Sequence, residues 1–331
     1  MRPSRLPAPR GGFSGALIEH LRHPPHSVFD RSLDTLGSPD ILTSDDLQLS
    51  LYLCYELHYR GFDAVSERWE WEPSLLTLRA RLEAAFEEGL TAVVGRPEAI
   101  ENPPSVELRE LVERSDGPSL SAFMEEHGTL RQMREFAVHR SAYQLKEADP
   151  HTWALPRLAG AAQATMAAIQ YDEYGSGRAD QRHSELFRST LTGLGLDDAY
   201  GAHLDVIPGV TLATVNLMSL FGLHRRWRGA LLGHLAAFEM TSVAPMGRYS
   251  RALDRLGLPA DARTFYEVHV VADAEHQHMA GTMVDAFATA HPDLAGDVVF
   301  GARSLFALEE RFASHLLDAW QSGRTSLLRP L

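Results

Sequence analysis

Apolar residues recur at three- and four-residue spacing along almost the whole of this chain, and no segment alternates apolar with polar residues around an Asn-Gly or Asp-Gly turn. That period suits helices that bury one face, so the spacing predicts an all-α protein, a helix bundle with an N-terminal helical extension. A first helix is expected from the Thr43-Ser44-Asp45-Asp46 cap to Arg60, where Gly61 stops it, and a second from Pro73 to Val94. Further helices are expected at about 119–148, 153–174, 183–194, 209–223, 226–243, 246–257, 261–290 and 293–320.

Loop signals at Ile100–Pro104 and Ser115–Ser119 place a boundary near residue 118. Residues 1–118 are then a flexible leader (Met1–Gly12) plus helices whose apolar faces would pair two subunits into a homodimer, and residues 119–331 are the bundle.

With 331 residues, 44% hydrophobic and 23% charged, the chain can build a sizeable core. Its net charge of −13, without a basic stripe, argues against nucleic acid and anionic membrane surfaces as partners. The longest uncharged run, Val206–Leu223, contains Pro208, Gly209 and Asn216, so it reads as a buried helix rather than a membrane span. A lone cysteine, Cys54, rules out an intramolecular disulfide and fits a reducing compartment, with the cytoplasm expected.

The sharpest chemical signal is His269, Asp273 and His276. On a helix, offsets of four and seven set Asp273 about 40° ahead of His269 and His276 about 20° behind it, so the three share one stripe while His278 points away. Two imidazoles and a carboxylate on one face suit a divalent metal in a bundle core, although an ordinary surface ion pair has the same spacing. Other helices offer matching groups. Glu147 is placed on the last turn of a helix that Pro150 must end, Glu173 and His183 follow, and Glu239 interrupts the apolar run from Gly229 to Thr241. A carboxylate in such a run is costly unless it is paired or metal-bound.

In order and spacing, Glu147, Glu173, His183, Glu239 and the His269-x3-Asp273-x2-His276 trio resemble the heme-oxygenase-like diiron oxidases and oxygenases, over about residues 120–315. The phrases Lys146-Glu-Ala-Asp-Pro-His-Thr-Trp153 and Tyr171-Asp-Glu-Tyr-Gly175 look like the iron-containing redox enzyme subgroup. The resemblance implies a heme-oxygenase-like helical fold and a ligand set of Glu147, His183, Glu239, His269, Asp273 and His276, with Glu173 as an additional carboxylate. It further implies two Fe(II) per chain, O2 as cosubstrate and room for an electron donor. The reaction implied is oxidation of a small organic molecule by N-oxygenation, hydroxylation, desaturation or carbon–carbon cleavage. Ten residues of ideal helix would keep Glu173 and His183 about 15 Å apart, so a distortion near Gly175 and Gly177 is expected, in a segment that lets Glu173 swing onto the metal.

Competing readings are an iron-binding protein without turnover, serving storage, sensing or scaffolding, and a cofactor-independent enzyme of the quinone-cofactor synthase type. Retention of the whole ligand set disfavours the second. Glu56 and His58 diverge by about 200° on a helix and read as structural. His20, His23 and His26 read as adventitious, His151 as a loop residue with the orienting of a ligand as its alternative, and His224–Arg228 as a helix end with interhelical ion pairs, a carboxylate-bearing substrate being the sharper alternative. No G-x-S-x-G elbow or glycine-rich phosphate loop is present.

Overall fold

The computed structural model describes residues 4–26, 40–115 and 117–331, and over these residues the regular structure is helical apart from one bridge between Ser4 and Phe62. The chain begins with α1 (Gly12–Leu21), α2 (Asp45–Glu56), α3 (Pro73–Val94), α4 (Pro104–Glu113) and α5 (Leu120–Glu126). It continues with α6 (Leu130–Gln144), α7 (Asp149–Thr152), α8 (Gly160–Glu173), α9 (His183–Gly193) and α10 (Gly209–Leu223). The last four are α11 (Arg228–Thr241), α12 (Val243–Arg255), α13 (Thr264–Ala290) and α14 (Ala295–Gln321).

Local chemistry explains the boundaries. Ser44 accepts a hydrogen bond from the Leu47 amide and starts α2, with Asp45 and Asp46 in the first turn, where the helix dipole favours acids. Thr129 and Gln132 form a reciprocal capping box, so the single helix expected over 119–148 is two, α5 and α6. Three helices were not foreseen: α1 and α4, both short and flanked by prolines and polar residues, and the four-residue α7, which opens on Asp149-Pro150.

α10 is buried from Gly209 to Gly222 and forms the axis of the core, packed on α2 and α14. Asn216, the one amide in that helix, donates to both the backbone and the side-chain oxygen of Gln48, at 2.8 and 2.9 Å. α11 and α14 cross with their backbones in contact: a Cβ on Gly233 would lie 1.8 Å from the Val298 carbonyl oxygen, and one on Gly301 would lie 2.0 Å from that of Ala230. Only glycine permits this crossing, which sets the height at which α11 presents Glu239.

The division at residue 118 is not a break in packing. Phe13, Leu17, Leu51, Phe86 and Leu108 share one core with Leu217, Leu232 and Leu305. The described part of the leader is fastened as well: the Ala8 amide donates to Asp205 (2.7 Å), and Asp46 accepts from the Phe13 and Ser14 amides (3.0 and 2.7 Å), capping α1 from a neighbouring helix. α2 packs on α10, α3 on α14, and α4 on α11, α13 and α14. Among the described residues no helix is long and apolar enough to cross a membrane.

Candidate metal centre

Seven buried side chains from five segments meet: the turn after α6, and helices α8, α9, α11 and α13. α13 contributes the stripe, with His269, Asp273 and His276 all buried and His278 exposed. α11 contributes Glu239 one turn from its end, α8 ends on Glu173, and α9 begins on His183.

Glu147 is not on a helix end as expected. α6 stops at Gln144, and Glu147 sits in an irregular turn in which Ala148 takes φ = 73°. Lys146 anchors this turn: its ammonium, 1% exposed, lies 3.1 Å from Glu56, which also accepts a 2.7 Å hydrogen bond from the Tyr200 hydroxyl. The Lys146 Nζ further stands 4.8 and 4.4 Å from the ring centres of Tyr52 and Tyr59, so the residue beside Glu147 is held on several sides.

Glu173 and His183 meet because the chain doubles back between two helices. Gly175, Ser176 and Gly177 all take positive φ, and a Cβ on Gly175 would lie 2.4 Å from the Arg178 carbonyl oxygen. The return brings His183 Nδ1 to 2.8 Å from Glu173 Oε2. The expected distortion is therefore a complete break in the helix.

The donor atoms fall into two groups that share a residue. Glu147, Glu173, His183 and His269 bring one donor each within 4.8 Å of one another, and so do Glu173, Glu239 and His276. Glu173 belongs to both: Oε2 faces His183, while Oε1 lies 4.0 Å from His276 Nδ1. Asp273 Oδ1 borders the second group, 3.7 Å from His276 Nδ1, and Glu239 Oε2 lies 3.4 Å from the same nitrogen.

Outer partners aim two of the imidazoles. His269 Nδ1 donates to the Phe265 carbonyl at 2.7 Å, leaving Nε2 toward Glu147 at 3.7 Å. His276 Nε2 is held by Asp172 at 3.2 Å, leaving Nδ1 toward the cluster. One ring nitrogen tied outward and the other facing carboxylates is the arrangement that prepares a histidine for a metal. Among the described residues, Glu147 Oε2, His183 Nδ1, Asp273 Oδ1 and His276 Nδ1 are all buried without an aligned hydrogen bond, although carboxylate oxygens stand 2.8 Å from His183 Nδ1 and 3.4 Å from His276 Nδ1. Native proteins rarely leave buried polar atoms so, and a cation that took these lone pairs would satisfy them together. The residues present fit iron.

The electrostatics show what the donors hold in place of a cation. Burial pushes Glu239 up to about 8, and raises Glu147 and Asp273 as well. Burial works to lower the imidazoles, but the facing carboxylates prevail: His269, beside Glu147, is raised to about 10, and His276, facing Glu239, to about 9. Glu173 goes the other way, since burial is outweighed by His183, His269 and His276, which hold it down at about 2.

A cavity of about 630 Å³ opens directly on the cluster, reaching Glu147, Glu173, Glu239, His269 and Asp273. Its walls are mainly apolar and aromatic, among them Phe136, Tyr143, Phe238, Tyr249 and Phe312. Arg140 lines it too, bonded through both terminal nitrogens to Glu309 at 2.8 and 2.6 Å.

His151 is not a loop residue. It is 1% exposed on α7, lines the cavity and lies 3.1 Å from His234, itself fully buried. Burial lowers His151 to about 4, so the pair is neutral near pH 7. His234 went unremarked in the sequence, where a histidine in an apolar helix resembles ordinary core. Glu56 and His58 are indeed structural, and Arg226 pairs with Glu87 and His224 with Glu83, which accounts for the basic patch.

Comparison with curated proteins finds no match to this chain. A model of the family described as iron-containing redox enzyme matches residues 134–310, slightly more than half of the chain and a span containing all seven clustered side chains. The helical architecture, the buried His and Glu cluster and this match lead to one conclusion: the chain belongs to the iron-containing redox enzyme family, with its heme-oxygenase-like helical fold.

Proposed function

We propose that this chain is a non-heme diiron oxidase or oxygenase that uses O2 to oxidise a small organic molecule. In this reading Glu147, Glu173, His183 and His269 hold one Fe(II), and Glu173, Glu239, Asp273 and His276 hold the other. The observation that carries it is the position of Glu173, whose two oxygens face two different sets of donors. A carboxylate is the side chain able to serve two cations at once, and four carboxylates balance the charge of two divalent ions. Such a centre, when reduced, supplies the electrons that convert O2 into an oxidant for a C–H, C–C or amine group.

The protein's own residues do the rest. Glu147, on a turn pinned by the Lys146–Glu56 pair, is held at the cavity floor. Phe265 and Asp172 fix the ring orientation of His269 and His276. To accept metal, His269 and the His276–Glu239 pair release the protons they now hold. Apolar walls keep bulk water from the substrate and strengthen each charge interaction inside. That cavity beside the cluster favours turnover over storage or sensing, which need no substrate space.

The test is anaerobic loading with Fe(II), a count of iron per chain, and then mixing with O2 while following visible absorption. Two irons per chain and a transient long-wavelength band are expected, and Glu173→Ala should lower both the stoichiometry and the rate of reaction with O2. A chain that takes up no iron would overturn the ligand assignment, and tight binding with only slow, featureless oxidation would favour an iron-binding role.

A further inference from the structure

Outside the cluster, three polar side chains line the cavity with an atom that no group among the described residues satisfies: Gln144 Oε1, Gln170 Nε2 and the Tyr266 hydroxyl. All are deeply buried, at 6%, 3% and 1% exposure. Each precedes a member of the cluster by three residues, Gln144 before Glu147, Gln170 before Glu173 and Tyr266 before His269. On α8 and α13 that spacing puts the polar group on the same face as the cluster residue, about one turn away.

Their orientations are set from outside. Gln170 Oε1 accepts from the Thr152 hydroxyl at 2.8 Å, which leaves its Nε2 as a free donor; Thr152 also contacts Tyr174, which donates to Asp149 at 2.8 Å. Gln144 offers a free acceptor. The charged groups of the cavity wall include the cluster members Glu147, Glu173, Glu239, His269 and Asp273, together with Glu309 and Glu310. Arg140 is committed to Glu309, Arg114 to Glu110 at the surface, and burial keeps His151 neutral. A carboxylate head has no donor for Gln144 Oε1 and an ammonium head no acceptor for Gln170 Nε2, so either charged guest leaves one of the two amide atoms unpaired.

We infer that the cavity takes an uncharged substrate with an aromatic or bulky apolar body and a carboxamide-type head, one acceptor and one donor, which Gln170 and Gln144 bind, with Tyr266 as a third contact. The body would lie against the aromatic wall of Phe136, Phe238 and Phe312. This inference rests on the reading of the site as an oxidising centre, but concerns only what enters the cavity.

The test is direct binding by calorimetry to the full chain, metal-free and loaded with redox-inert Zn(II), using four probes: 4-phenylbutanamide, 4-phenylbutanoate, 4-phenylbutylamine and butylbenzene. The amide should bind about tenfold or more tighter than the other three, since a site built around unpaired polar groups discriminates against guests that leave them unpaired. Gln170→Leu and Tyr266→Phe should each weaken the amide several-fold to about tenfold while leaving butylbenzene unchanged, which also shows that the cavity is still folded. An acid or amine that matches the amide in either metal state would overturn the inference, as would variants that bind the amide unchanged. Iron counts on the same preparations separate the two readings. Two irons without amide preference overturn the substrate class alone; amide preference without iron uptake overturns the diiron reading and leaves the binding site.

Discussion

Metal loading should release about two protons per chain at pH 7. The number follows from groups that now hold protons and must become donors. His269, raised to about 10, is protonated almost completely at pH 7, and Glu239 and His276, raised to about 8 and about 9, hold at least one proton between them, because a Glu239 that has taken up a proton no longer holds His276 charged. Each must be stripped before its lone pair reaches a cation, and Glu173, held near 2, has no proton to give. The product of the two association constants should then rise about a hundredfold per pH unit around neutrality. The assay is titration of metal-free protein with Zn(II) in weak buffer, read with a pH indicator, and repeated calorimetrically in buffers of different ionisation enthalpy. Release of fewer than about one proton would mean that the carboxylates do not hold the imidazoles charged, and the electrostatic picture of the cluster would fall.

Other expectations are as specific. Lys146→Met should cost about 3–5 kcal/mol in urea unfolding by leaving Glu56 buried and unpaired, with much of that recovered in Lys146→Met/Glu56→Gln; full additivity would refute the pairing. Gly175→Ala, with φ of 78° and a Cβ 2.4 Å from a backbone oxygen, should cost about 2 kcal/mol or more and reduce metal stoichiometry by separating His183 from Glu173; unchanged stoichiometry would contradict the role of that turn. His151 is depressed from 6.5 to about 4, so below pH 6.5 the unfolded chain takes a proton that the folded chain refuses. Its contribution is whole above pH 6.5 and falls by up to about 3 kcal/mol as pH drops toward 4. His151→Gln should flatten the wild-type loss of stability over that interval, and identical pH profiles for the two proteins would refute it.

The helices were legible because their causes are local. α10 occupies the residues that its apolar run and Pro208 indicate, α3 spans Pro73–Val94 as punctuation requires, and the α13 stripe follows from 3.6 residues per turn. Glu239 announced itself as a carboxylate in an apolar helix. Gln144, Gln170 and Tyr266 carried a signal too, three residues ahead of cluster members, but such residues look ordinary until a cavity exists for them to face.

What the sequence determined by itself is the helical class and the inventory of donors, because periodicity and residue chemistry act over one or two turns. Tertiary structure alone decided how those donors meet. Glu147 is placed by an ion pair between residues 146 and 56, far apart in the chain, and Glu173 reaches His183 through a run of positive φ angles whose path no periodicity encodes. Phe13 and Leu17 of α1 lie in the core, where Asp46 caps that helix across space, and Glu239 stands on a helix that two glycines let touch α14. Contacts of this kind depend on surfaces that exist only once the chain has folded, which is why the position of Glu173 between two sets of donors appears in the structure and in no single stretch of sequence.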